Sequence, residues 1–368
     1  MFDRRLINNF DWVLLAILIF IGLLSVFNLY SATYTISRGG GSQIYVKQIC
    51  WYAIGFLILL LMTTFDYHIL DRFAYPLFFI SLIFLVAVLE IGQVTRGSKR
   101  WLSFGFFSVQ PSEMVKICII IVLARYFSKA EKMGDYRLRG LFRPLILIAI
   151  PFIIIIYQPD LGTALMLLIV ALSIIIFVNI NWKSILLFLS TSLLAAPFFW
   201  ISLQEYQKKR IITFLRPDLD PLGTAYHVTQ SKIAIGSGLF WGKGFLKGTQ
   251  TRLHFLPEQH TDFLFSVLAE EWGFIGSGII LFLYLFLILW CLNIAKNTKD
   301  KFGTLIIVGV AASIFWHLTV NVSMATGLLP VVGIPLVLFS YGGSSVISTM
   351  AAMGLIMNVS MRRFIFQG

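Results

Sequence analysis

Glu258, His260, Asp262, Glu270 and Glu271 crowd one short stretch of this sequence, LPEQHTDFLFSVLAEEWGFIG. Phe263, Leu264, Phe265, Val267 and Leu268 run between them, so the stretch belongs at the boundary of an apolar phase. A carboxylate held there is partly desolvated, which raises its proton affinity and suits it to accept a proton near neutral pH. Asp262 is the best-placed candidate for such a base. The same residues also fit a purely structural role, with Thr261 or Asp262 capping a helix that begins at Phe263. Position alone leaves both open.

Two other polar groups fall inside apolar runs, where ionisable side chains are costly and point to function. Glu113 and Lys116 in PSEMVK are three residues apart, one turn of a helix on one face. They read equally well as a structural ion pair and as members of a site. Asp160 in QPDLGTA stands at a helix start, where capping competes with any functional role. Glu90 reads as an interfacial residue and His317 as a hydrogen-bonded packing residue rather than a ligand. HExxH, CxxC and paired-histidine spacings are missing, as is a phosphate-binding Walker sequence, so neither a dedicated metal site nor ATP-driven pumping is expected. Cys50, Cys118 and Cys291 lie in or beside apolar runs and behave as small hydrophobes.

The elements that carry these residues follow from composition. The 368 residues are 58% hydrophobic and 12% charged, with a mean hydropathy of +0.86. Soluble chains hold roughly 45–50% apolar and about 25% charged residues. The runs are solidly apolar instead of alternating, which excludes a spanning β-barrel. About 20 such residues cross a bilayer as a helix. The expectation is one all-α, polytopic membrane domain over 1–368 with ten spans: 12–31, 48–65, 73–92, 111–127, 141–157, 161–180, 184–203, 273–296, 303–324 and 343–359. With the N-terminus inside, the inner segments carry 14 Lys and Arg against 5 in the short outer loops, which makes both termini cytoplasmic. The net charge of +12 then reflects topology and anionic lipid, not nucleic acid. One large extracytoplasmic loop, 204–261, separates spans seven and eight, and a loop of that length is usually functional. Its LFWGKGF piece is apolar enough to return to the membrane surface.

Several of these segments, in this order, resemble the SEDS family (shape, elongation, division and sporulation proteins), and most nearly its rod-shape branch. They are GSKRWL at 97–102, QPSEMVK at 110–116, QPDLGTA at 158–164, RPDLDPLGTAYHVTQSKIAIGSGLFWGKGF at 216–245, LPEQHTDFLFSVLAEEWG at 256–273 and GLLPVVGIPLVLFSYGGSS at 327–345. One departure is Val337, where the family commonly has a second proline after Pro335. The resemblance implies a multi-pass protein of the bacterial cytoplasmic membrane that polymerises lipid II into glycan strands at the outer face during cell elongation, with undecaprenyl pyrophosphate leaving. It implies Asp262 as the essential carboxylate, Glu113, Lys116 and Asp160 in a central polar cavity, and Trp101 near function. Its implied partner is a class B penicillin-binding protein, the transpeptidase that crosslinks the new strands. Beside it, the residues themselves offer Glu258 and His260 as further members of the outer cluster. Arg210, Arg216, Lys243 and Lys116 are candidates for anion contact, and a divalent cation (Mg2+ or Mn2+) could ride on the substrate diphosphate. A lipid II flippase, an ion-coupled transporter using Glu113, Asp160 and Asp262, and a division or sporulation paralogue are the competing readings.

Overall fold

The computed structural model describes residues 9–38, 44–95, 98–103, 105, 108–129, 138–178, 181, 190, 197, 200, 201, 203–220, 223–253 and 255–363. Helices dominate it: α1 (Trp12–Arg38), α2 (Ile44–Thr64), α3 (His68–Ile91), α4 (Pro111–Ser128), α5 (Leu138–Tyr157), α6 (Leu161–Phe177), α7 (Glu205–Leu215), α8 (Thr224–Ser237), α9 (Thr249–Arg252), α10 (Leu264–Lys296), α11 (Lys301–Thr326) and α12 (Gly343–Arg362). Seven of them, α1, α2, α3, α5, α10, α11 and α12, are long and apolar enough to cross a membrane. Helix α4 occupies the expected fourth span but carries Glu113, Lys116 and Arg125, and α6 is a turn shorter than a full crossing. The expected seventh span, 184–203, lies largely outside the described residues.

Helix α4 sits at the centre. It packs against α3, α6, α11 and α12, and its Val115, Ile119, Val122, Leu123 and Phe127 are buried. Lipid-facing side chains such as Leu57, Ile83 and Phe282 are exposed on the outer helices, as an apolar solvent permits. The all-helical expectation needs one amendment. Between α3 and α4 the chain forms a small antiparallel sheet, β1 (Gln93–Thr95), β2 (Ser98–Ser103) and β3 (Ser108–Val109), in the order β1-β2-β3.

The piece between α11 and α12 is not helical although its second half is buried. Ile334, Leu336, Val337, Leu338, Phe339 and Ser340 are all within the core. Irregular backbone at membrane depth is tolerated only where protein satisfies its polar groups, and here side chains do so from four helices. Ser25 of α1 donates to Phe339 O at 2.6 Å, and Tyr52 of α2 to Leu338 O. Tyr284 of α10 donates to Val337 O at 2.5 Å, and Asn321 of α11 to Ile334 O at 2.8 Å. The Gln48 amide donates to Ser340 O at 3.2 Å and accepts from Gly342 N at 3.3 Å.

Span eight begins earlier than its hydropathy suggests. Helix α10 starts at Leu264 and breaks at Gly273, whose backbone lies at φ 63, ψ −155, before continuing to Lys296. The groups freed by the break are taken up by the long loop: Phe274 N donates to Leu239 O at 2.9 Å, Lys243 N to Glu270 O at 3.0 Å and Gly244 N to Glu271 O at 2.9 Å. A β-carbon at Gly273 would meet Phe240 O at 2.7 Å and would sit in the left-handed region. Gly273→Ala should therefore lower stability by roughly 2–3 kcal/mol. Detergent melting curves check this, and a wild-type melting point would overturn it.

Candidate active site

Asp262 lies at the foot of α10, in a turn that other elements hold from several sides. Thr261 N donates to Glu258 O at 3.1 Å, and the Thr261 hydroxyl reaches Glu258 Oε2 at 3.3 Å. Gln259 Nε2 ties the turn to Ala32 O of α1 at 2.8 Å, and Asn28 Nδ2 holds Leu264 O at 3.0 Å. Asn321 Nδ2 donates to Asp262 O at 2.9 Å while holding Ile334 O, so one amide fixes both the Asp262 backbone and the buried segment beside it. The Asp262 carboxylate lies against Gly333, whose β-carbon would stand 3.5 Å from Oδ2. Phe263, not Thr261 or Asp262, takes the N-cap position of α10, and it makes no side-chain cap. The capping role holds for Asp160. Asp160 caps α6 by accepting from Thr163 N at 3.1 Å.

Asp160 also faces Arg100 of β2, with Nε 3.5 Å from Oδ2, and Arg100 Nη2 donates to Pro159 O. Tyr206 of α7 donates to the same carbonyl at 2.6 Å and packs its ring under the Arg210 guanidinium at 5.7 Å. Arg100, Asp160, Tyr206 and Arg210 line one cavity of about 30 Å3. Burial lowers the proton affinity of Arg210, and Arg100 adds to that, while Asp262 and Asp160 oppose it. The guanidinium stays charged. Arg210 is thus within electrostatic reach of both outer carboxylates. His227 of α8 stacks on Phe263 with ring centroids 6.4 Å apart. Burial holds its pKa below the usual 6.5, with Arg210 adding and Glu258 opposing, so the imidazole is neutral at pH 7.

A second cluster lies among α4, α11 and α12. Lys116 Nζ meets Glu113 Oε1 at 2.8 Å, as the one-turn spacing requires, and His317 Nε2 at 3.1 Å. His317 Nδ1 faces Ser313 O at 2.7 Å, so Nδ1 carries the proton and Nε2 accepts from the lysine. Ser348 donates to Glu113 Oε2 at 3.1 Å. All four side chains are buried and line a cavity of about 30 Å3, enough for a water molecule.

The remaining sequence candidates stand apart from these clusters. Trp101 is half-buried on β2 and, as the strand neighbour of Arg100, projects to the opposite face. His260 places its carbonyl on Tyr341 N at 3.0 Å and its ring 6.2 Å from that of Tyr341. Arg216 is exposed at the end of α7. Lys243 binds the fully buried Glu270 at 2.7 Å and Thr249 at 2.8 Å. Sequence reasoning passed over Arg100, although it lies inside the GSKRWL motif, and it passed over His227, Asn321 and Ser348.

A family model described as cell cycle protein, covering FtsW, RodA and SpoVE, matches residues 8–364. The chain belongs to this family. Among its relatives, the peptidoglycan glycosyltransferase MrdB of Escherichia coli K12 is 40% identical over 320 residues, covering 86% of this chain and 85% of that one. The peptidoglycan glycosyltransferase RodA of Treponema pallidum is 32% identical, covering 98% and 99%. Among solved structures, a chain of a peptidoglycan synthase complex that coordinates polymerization and crosslinking superposes with a TM-score of 0.83 at 30% identity, covering 96% of this chain and 98% of that one. The rod shape determining protein RodA of Thermus thermophilus gives 0.72 at 27% identity, with the same coverage. The SEDS resemblance is borne out, and with it the reading as a multi-pass membrane protein.

Proposed function

We propose that this chain is a peptidoglycan glycosyltransferase of the elongation machinery, polymerising lipid II at the outer face of the bacterial cytoplasmic membrane. The relatives' names support the activity. The observation that carries the site is the setting of Asp262, a carboxylate fixed through its backbone by Asn321 and within electrostatic reach of Arg210. A β-1,4 bond made from an α-linked diphosphate donor inverts the anomeric carbon. Asp262 takes the proton of the acceptor 4-hydroxyl as that oxygen attacks C1. The C1–O bond to the diphosphate breaks, and undecaprenyl pyrophosphate leaves with the electron pair. Arg210 faces the developing negative charge. Glu113, Lys116 and Asp160 shape the polar interior, with Trp101, Glu258 and His260 as neighbouring substrate contacts and Arg216, Lys243 and Lys116 as further candidate anion contacts. Among the described residues no group of three or more His, Cys, Asp or Glu is placed to hold a metal. A Mg2+ or Mn2+ would come with the substrate diphosphate, whose oxygens supply the ligands. The test is purified protein with labelled lipid II resolved on a gel. Glycan polymer is expected, and its absence overturns the reading.

The proposed topology has ten spans with both termini inside, supported by the Lys and Arg asymmetry. Cysteines introduced into 204–261 should react with an impermeant thiol reagent applied outside, and ones near Arg137 should not. Labelling of the long loop from the inside alone would sink the site assignment. A class B penicillin-binding protein is the proposed partner, supported by the likeness to a synthase complex that joins polymerization to crosslinking. We expect one-to-one co-purification with it; polymerisation indifferent to any such partner would count against the pairing.

A further inference from the structure

We infer that a phosphate-binding subsite for a membrane lipid lies behind Arg210, in the cavity that Arg210 shares with Lys232. This cavity, about 100 Å3, is bounded by α7, α8 and the turn after α11, with Thr213 and Thr229 contributing hydroxyls. Of the two smaller cavities described above, one holds Lys116 with its carboxylate Glu113, and the other holds Arg100 and Arg210 with Asp160. This one holds two cations, and no carboxylate is among its lining residues. An anion placed between the two cations would be attracted to both. A phosphate group supplies that anion and accepts from a guanidinium, an ammonium and the threonine hydroxyls together.

Lys232 is guided there by Gly327, the left-handed residue that ends α11. A β-carbon at Gly327 would fall 2.7 Å from Lys232 Nζ, so the lysine end lies directly over this glycine. The ammonium therefore lies at the carboxyl end of α11, where the helix dipole also favours a cation. That dipole explains one lysine but not the second cation across the cavity. Phe214, Pro217, Val228 and Val331 give the cavity apolar walls, which suit a phosphate joined to a hydrocarbon chain rather than a soluble nucleotide. The cavity and the Asp160 cavity share Arg210 and Pro330 as a common wall. A diphosphate held here would thus have Arg210 between it and the outer carboxylates. The inference deepens the proposed glycosyl transfer, on which it rests for the identity of the lipid: a polyprenyl diphosphate, donor or product.

The experiment measures binding by the full-length protein in detergent, with farnesyl diphosphate, inorganic pyrophosphate and phosphatidylglycerol as probes. Lys232→Met, similar in length and uncharged, should weaken farnesyl diphosphate binding about tenfold or more, the loss of one charge-assisted hydrogen bond. Lys232→Arg should restore it, and melting curves confirm that both variants fold. Displacement of farnesyl diphosphate by pyrophosphate but not by phosphatidylglycerol identifies the diphosphate of the polyprenyl substrate. Equal displacement by phosphatidylglycerol keeps the phosphate subsite but gives it to bulk phospholipid. Equal affinity of folded Lys232→Met and wild type for every probe overturns the subsite. Asp262→Asn should bind farnesyl diphosphate as wild type does, so loss of catalysis and loss of this subsite are read separately. A wild-type protein that binds through Lys232 yet makes no polymer would sink the glycosyltransferase reading and leave the subsite standing.

Discussion

Asp262→Asn should cut lipid II polymerisation by roughly 10²–10⁴-fold, the share that a general base ordinarily contributes. The substitution keeps size and most hydrogen bonding and removes only the proton acceptor. Asn321 holds Asp262 through its backbone carbonyl, and Phe263 occupies the helix cap, so the turn does not depend on the carboxylate for these contacts. Expression, melting point and partner binding should stay near wild type. Glu258→Gln and Glu270→Gln made in parallel separate a specific proton acceptor from a general loss of negative charge. A folded Asp262→Asn protein that polymerises at near wild-type rate would refute the assignment, since a residue that merely shaped the turn would tolerate asparagine.

The second large effect concerns stability. Lys116→Met should destabilise the protein by about 3–5 kcal/mol, because it strands the Glu113 carboxylate without its cation in the middle of the helix bundle. Glu113 would keep only the Ser348 hydroxyl, and His317 Nε2 would lose its donor. Adding Glu113→Gln to Lys116→Met removes the stranded charge and should recover most of the loss. Melting curves on the two single variants and the double complete the cycle. Additive losses would mean that Glu113 and Lys116 act independently, against the 2.8 Å contact between them.

What the sequence made legible follows from the range of the forces involved. Solid apolar runs name most of the helices, since burial in lipid requires nothing beyond length and composition. The Glu113–Lys116 pair and the Asp160 cap are local, one helical turn each, and both stand where spacing puts them. His317 and Ser348 join Glu113 and Lys116 from positions 201 and 235 residues away, a separation no periodicity reports. Glu270 and Glu271 make 264–272 look too polar for a span, so the hydropathy starts at 273. The helix nonetheless begins at Leu264, because Lys243, Thr249 and Thr251 bind Glu270 and Ser31 binds Glu271. Lys243 reads from sequence as an unattached cation for the same reason: its partner becomes visible only with the break at Gly273. The small sheet escaped because its strands are at most six residues long and neither solidly apolar nor alternating.

The buried stretch between α11 and α12 also fixes an order in time. Its carbonyls at Leu338, Phe339 and Ser340 are received by Tyr52, Ser25 and Gln48, groups made 286, 314 and 292 residues earlier. Until those helices stand in the bilayer beside α10 and α11, the stretch has no partners for its backbone and must remain near water. It therefore docks only after α1, α2, α10 and α11 are in place. Gly333, the wall of the Asp262 carboxylate, arrives with it. A nascent chain that has not yet passed Gly333 lacks one wall of this pocket, so its chemistry cannot begin until the stretch after α11 has been made and has docked.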